Sequence, residues 1–186
     1  MHAKSDRELL ELFAIPESRN AAFTLLVKQY QQKLYWHIRR MVLSHEDADD
    51  LLQNTFLKAY RALDQFREEA KLSTWLYRIA TNECISFLNQ QKKRFADTEA
   101  LKAELTRQAS EAYPLIGANQ IEKKLQEAIL HLPQKQKQVF HMKYFDRLRY
   151  EDMAEILGTS IGALKASYHL AVKKIEAYIN SSEKLL

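Results

Sequence analysis

Apolar residues recur along this chain at intervals of three and four, the spacing of a helix with one buried side. Ser5-x-x-Glu8 and Ser44-x-x-Asp47 carry the pattern that starts helices. Pro16 separates a short first helix from a long second one that reaches about Leu43. A third helix is predicted from about Glu46 to Phe66 and a fourth from Ser73 to about Arg94. From Phe95 to Asn119 the sequence turns small, polar and weakly periodic, which reads as a linker with at most a transient helix. Four further helices are predicted over about 119–131, 134–145, 150–157 and 161–179, punctuated by Pro133, Asp146-Arg147 and Gly158. The expected fold is all-α: two small helical domains over 1–94 and 120–186, joined by a flexible linker at 95–119, the second a helix-turn-helix.

Composition agrees. Three glycines and three prolines in 186 residues, with 46% apolar residues, fit a helical globular chain. No run of about 18 apolar residues exists, and MHAKSDRELLELF lacks the uninterrupted apolar stretch of a signal peptide, so neither membrane insertion nor export is expected. The single cysteine, Cys84, has no internal partner for a disulfide, and a cytoplasmic location follows as the expectation.

Charge is distributed in blocks. Residues 44–64 carry five acids against Lys58 and Arg61; residues 67–94 carry six bases against three acids; residues 134–178 carry eight bases against five. Two basic segments and an acidic one suit two polyanion contacts and a separate basic partner, although charge runs also suit solvated helix faces.

The last predicted helix opens on unusually small residues. Winding 161–175 at 100° per residue puts Ile161, Leu164, Tyr168, Ala171, Val172 and Ile175 on the buried side. Outward lie Gly162, Ala163, Ala166, His169, Leu170 and Lys173, with Lys165 and Ser167 on the flanks and Ser160 placed to cap. A bare helix start lets the backbone approach another surface, which in a helix-turn-helix is the major groove. An ordinary αα-hairpin is the plainer alternative.

In HEDADDLLQNTFLKAYRALDQF the buried stripe is Ala48, Leu51, Leu52, Thr55, Phe56, Ala59, Leu63 and Phe66. The outer face gathers Asp50, Gln53, Asn54, Leu57, Arg61 and Asp64, a leucine ringed by polar groups that suits a basic protein partner. A metal site from His45, Glu46, Asp47, Asp49 and Asp50 fits poorly, because consecutive acids at a helix start diverge and complement the helix dipole in any case. In the fourth helix, Leu72, Leu76, Ile79, Ala80 and Phe87 are expected inside, with Trp75, Arg78, Asn82 and Ser86 on an adjoining stripe. Ring, cation and amide at this spacing suit a single strand of nucleic acid, while a tryptophan at a stripe's edge also suits a core. Glu83 winds inward and calls for a cation or helix-end amide.

The stretches DADDLLQNTFLKAYRALDQF, STWLYRIATNECISFL and LPQKQKQVFHMKYFDRLRYEDMAEILGTSIGALKASYHLAVKKI, in this order, resemble the extracytoplasmic-function group of bacterial sigma factors over about residues 20–94 and 120–178. The resemblance implies a non-enzymatic transcription initiation factor with core RNA polymerase and promoter DNA as partners, an anti-sigma factor as a further partner, and neither cofactor nor metal. It places Asp50, Gln53, Asn54 and Leu57 at the polymerase contact. Phe66, Arg67, Lys71, Trp75, Tyr77, Arg78 and Asn82 fall on the −10 face, with Phe66 to Lys71 forming the loop that captures an unstacked base. Ser160, Gly162, Ala163, Lys165, Ala166, Ser167, His169 and Lys173 fall on the −35 helix. Asn54 stands where the family commonly has Glu, and Ser167 and Leu170 where many relatives have arginines, so −35 reading shifts toward Lys165, His169 and shape. A dimeric helix-turn-helix regulator acting without polymerase is the alternative, and an acid-cluster nuclease lacks a nucleophile, a phosphate loop and convergent ligands.

Overall fold

The computed structural model describes residues 4–67, 69–94 and 120–183, the side chains of 92–94, 120–123 and 182–183 excepted. The segment expected to be a linker, 95–119, lies outside the described residues. Eight α-helices are present among them: α1 (Asp6–Phe13), α2 (Arg19–Val42), α3 (His45–Ala62), α4 (Leu72–Arg94), α5 (Gln120–Leu130), α6 (Gln134–Phe140), α7 (Tyr150–Leu157) and α8 (Ile161–Glu183).

The caps read from sequence close as chemistry requires. Glu8 N–H donates to Ser5 Oγ at 3.3 Å and Ser5 N–H donates back to Glu8 Oε2 at 2.7 Å, satisfying two backbone donors at the head of α1. At α3 only half of that exchange is present, Asp47 N–H donating to Ser44 Oγ at 3.2 Å. Three helices depart from the predicted bounds, the last of them, α8, running on to Glu183 rather than ending at about 179. Helix α3 ends at Ala62 and tightens into a 3₁₀ turn over Leu63–Gln65. The helix expected over 134–145 widens after Phe140 into a π turn, His141–Phe145, closed by Asp146 N–H donating to the His141 carbonyl at 3.1 Å.

Helices α1 to α4 pack around Leu9, Leu26, Leu34, Ile38, Leu76 and Ala80. That core does not stop at the end of α4; it continues into Val139, Met142, Met153, Ile156 and Leu164 of the second helical group. A second core of Ala128, Ile129, Leu132, Phe140, Ala171 and Ile175 admits one residue from the first group, Leu43. Leu43 caps α2 in the left-handed region at φ 65°, where glycine is usual. That conformation costs a branched side chain on the order of 1 kcal/mol, and burial of the leucine, worth about 1.5–3 kcal/mol, outweighs it. The two helical groups are thus welded along an apolar seam formed by residues about a hundred positions apart.

Candidate nucleic-acid interface

The first surface is the outer side of α3. Asp50, Gln53 and Asn54 are exposed there and Leu57 is 51% exposed, as the helical winding predicts. Beside Leu57 runs an open groove of about 470 Å³, lined by Phe23 and Val27 of α2 and by Gln53, Phe56 and Tyr60 of α3. Phe23 and Tyr60 set its floor edge to face, centroids 4.9 Å apart. The groove makes Phe23 and Val27 members of this surface, which sequence reasoning missed. Their signal was an i, i+4 apolar pair on α2, indistinguishable from core until α3 is laid against it.

The second surface begins where α3 gives way to α4. Phe66 and Trp75 pack with centroids 5.2 Å apart and planes at 48°. Together with Gln65, Arg67, Glu69, Ala70, Arg78 and Glu155 they line an open cleft of about 490 Å³, within the range of sites that hold small planar ligands. Arg67, Arg78 and Asn82 are exposed and Trp75 is half-buried, so aromatic, cationic and amide groups share one stripe. Glu83, on the inward side, is met by Lys58 of α3, which donates to its Oε1. Tyr77 sits apart from this group. Only 5% exposed, it turns its ring onto His37, centroids 4.9 Å apart. Burial first, then the Asp146 carboxylate, push its phenol well above the usual tyrosine range, against a smaller opposing pull from Arg40. Lys71 is directed at Asp152 of α7, Nζ to Oδ1 3.7 Å.

The third surface is the start of α8. Gly158, at φ 61°, ends α7 in the left-handed region. Ser160 then caps α8, its Oγ accepting from Ala163 N–H at 3.2 Å. The predicted sides hold: Leu164, Ala171 and Ile175 are buried, and Gly162, Ala163, Ala166, His169, Leu170 and Lys173 are exposed. Lys165 is exposed, its Nζ 5.8 Å from the Tyr150 ring centre, and Ser167 is half-buried. A Cβ placed on Gly162 would meet nothing within 4 Å. Packing inside the chain therefore gives no reason for the missing side chain. Behind this face, Tyr168 stacks on Phe140 at 5.9 Å and 14°, fixing the helix against α6.

Between the second and third surfaces lies the seam, whose polar groups sequence analysis did not foresee. Asp146, its side chain 4% exposed, accepts from His37 Nδ1 at 2.7 Å and from Arg40 Nη1 at 3.2 Å. His37 Nε2 lies 3.0 Å from Thr81 Oγ1. Arg40 also covers the Phe145 ring at 4.7 Å. Asp152 accepts from Thr74 Oγ1 at 3.2 Å and from Arg149 Nε at 3.0 Å. The Arg149 hydrogen bond above all, then Lys71 and Thr74, hold its carboxyl below the usual range against partial burial.

The family description of sigma-70 region 2 matches residues 26–94, and that of sigma-70 region 4 matches residues 122–175. Among curated relatives, the ECF RNA polymerase sigma-E factor of Escherichia coli (strain K12) is 31% identical over 180 residues, covering 92% of this chain and 93% of its own. The ECF RNA polymerase sigma factor SigW of Bacillus subtilis is 33% identical over 156 residues, covering 80% and 83%. Among solved structures, CnrH in complex with the cytosolic domain of CnrY superposes with a TM-score of 0.68 at 24% identity, covering 96% of this chain and 99% of that one. The sigma factor RpoE of Bartonella quintana, in complex with the anti-sigma factor NepR, gives 0.66 at 20% identity, covering 85% and 96%. At these identities the two structures establish the fold.

Proposed function

The chain belongs to the extracytoplasmic-function group of the sigma-70 family, transcription initiation factors that bind RNA polymerase and direct it to promoters, and on that premise we propose how its three surfaces divide the work. Residues 1–94 bind core polymerase and separate the −10 strands, residues 120–186 read the −35 element, and residues 95–119 connect them. Asp50, Gln53, Asn54 and Leu57, with the apolar groove beside them, take the polymerase. A basic helical partner suits this patch: acid and amides give register, and the exposed leucine gives an apolar centre.

Phe66 and Trp75 supply faces for an unstacked base, Arg67, Lys71 and Arg78 supply charge for phosphate, and Asn82 offers an amide to a base edge. Tyr77 supports this face from behind. On α8, Gly162, Ala163 and Ala166 admit the duplex backbone to close range, while Lys165, His169, Ser167 and Lys173 reach phosphates and base edges, and Ser160 fixes the helix start. The observation that carries the −35 assignment is the open space beside Gly162.

The protein acts in the cytoplasm and catalyses no reaction of its own. Among the described residues no helix is long and apolar enough to cross a membrane. The Bartonella quintana RpoE structure, with its anti-sigma factor, supports a partner of that kind here. Run-off transcription with purified core polymerase and genomic fragments tests the whole reading: initiation at discrete sites only when the chain is added supports it. A footprint on duplex DNA without polymerase, and no initiation with it, favours the dimeric regulator.

A further inference from the structure

The outward side of α8 divides into two rows of different chemistry. Lys165, His169 and Lys173 follow one another at intervals of four, all exposed, and from Ile161 to Ile175 the helix carries three lysines, one histidine and no acid. Such a row suits phosphate. The other row is Ala163, Ala166, Ser167 and Leu170, at i, i+3, i+4 and i+7, the spacing along which a groove-bound recognition helix meets base edges. It holds no amide for adenine and no guanidinium for guanine.

Leu170 ends this row and is 49% exposed. One exposed leucine is ordinary on a protein surface. This one belongs to neither apolar core among the described residues, while Leu164, Ala171 and Ile175 fill the buried side of the helix and fix it pointing outward. Ala166, one turn earlier, is exposed beside it. The lysines complement the charge of a duplex, and the apolar row then decides which base pairs the face accepts. A G·C edge covered by leucine and alanine loses water from its donors and acceptors and gains no partner for them. Thymine alone offers an apolar group in the major groove, its C5 methyl, whose removal from water against Leu170 is favourable.

We propose that Leu170, flanked by Ala163 and Ala166, is a specificity-determining residue that reads a thymine C5 methyl, so that the duplex element taken by α8 is selected for thymine at the pair facing it. The inference rests on the reading of α8 as the −35 helix, and goes beyond it in naming the base and the group on that base that is recognised.

The test uses holoenzyme assembled from the full chain and core polymerase, titrated on promoter fragments found by run-off transcription. Each thymine of the −35 element is replaced in turn by uracil, which removes the methyl and leaves the pairing and the O4 acceptor intact. At one position or an adjacent pair the replacement should weaken binding roughly fourfold, the effect of taking one methyl group out of contact. Leu170→Ala should weaken binding to the thymine fragment by a similar factor and bring the thymine and uracil fragments level. Thymine and uracil fragments bound alike by wild type at every position, or a thymine preference undiminished in Leu170→Ala, would overturn the methyl reading. A loss in Leu170→Ala as large on a scrambled −35 element as on the intact one would overturn it too, by setting the leucine against polymerase. Wild-type holoenzyme that binds intact and scrambled elements equally removes the −35 assignment itself, and the inference with it. Discrimination between those elements without any response to uracil leaves the −35 assignment standing and ends only the methyl reading.

Discussion

Lys58 on α3 and Glu83 on α4 form an ion pair that ties the helix proposed to bind polymerase to the helix proposed to bind the −10 strand. Glu83 is 15% exposed and Lys58 is 59% exposed, so the carboxylate is sheltered while the ammonium reaches in from solvent. Such a pair, half in water, contributes on the order of 1 kcal/mol. Lys58→Ala should therefore lower the melting temperature by a few degrees and leave association with core polymerase intact. A thermal melt followed by co-purification checks both outcomes.

The polymerase face should be separable from the fold. Leu57 and Asp50 are exposed and neither is among the buried residues of the core. Leu57→Arg with Asp50→Lys inverts the charge of the patch and removes its apolar centre, and should abolish association with core enzyme at unchanged helicity by circular dichroism. Retained co-purification with intact helicity would place the polymerase contact elsewhere.

For the −10 face, Asn82 is the cleaner probe. It is exposed, so Asn82→Ala disturbs no packing, whereas Trp75→Ala removes the ring that holds Phe66 at 5.2 Å and costs on the order of 3–5 kcal/mol. Asn82→Ala should impair open-complex formation and spare closed-complex binding. Potassium permanganate reactivity at unpaired thymines measures the difference; melting equal to wild type would remove Asn82 from the strand contact.

Acid should weaken the fold through His141. Burial, then the positive groups of Lys137 and Arg40 and the neighbouring His37, hold its imidazole well below the ordinary value of 6.5. Below pH 6.5 the unfolded chain takes up a proton that the folded chain refuses. Stability is thus full above that pH and falls as pH drops through it, by up to about 1.4 kcal/mol per pH unit. Urea unfolding at pH 7, 6 and 5 should show this slope, and His141→Gln should flatten it. Equal slopes in the two proteins would assign the acid sensitivity to other groups.

The helices, their caps and the two sides of α3 and α8 were legible because each depends on residues within a turn or two of one another. Ser5 with Glu8, or Gly162 with Leu164, declare their relation by spacing alone. Even the need of Glu83 for a cation could be read, though not that Lys58, 25 positions earlier, would supply it. What the chain conceals is contact at long separation. His37 and Asp146 are 109 residues apart, and neither position carries a local pattern that marks it as half of a pair. Tyr77 shows the same limit: the family resemblance places it on the −10 face with Trp75 and Arg78, and only the approach of α2, carrying His37, shows which way its ring is claimed. The apolar seam likewise looks, in sequence, like two separate cores, because Met142 and Met153 satisfy the helical pattern of their own group whether or not they meet the other.

The start of α8 offers the sharpest test of what the missing side chains are for. A Cβ on Gly162 meets open space, and alanine is the better helix former by up to about 1 kcal/mol, so Gly162→Ala should leave the fold equally or more stable. Ala166→Glu, also on an exposed position, should be nearly neutral for folding. Both changes should nevertheless harm −35 reading, Gly162→Ala by holding the helix away from the duplex and Ala166→Glu more severely, by bulk and by setting a carboxylate among phosphates. Lys165→Ala should act differently, either lowering the salt slope of binding by about one if it meets a phosphate or relaxing preference at one base pair if it reaches guanine. Transcription from templates with an intact or scrambled −35 element, at several salt concentrations, reads all three. If Ala166→Glu still discriminates fully between those templates, the small residues serve something other than the groove, and the helix pair α7–α8 is an ordinary αα-hairpin.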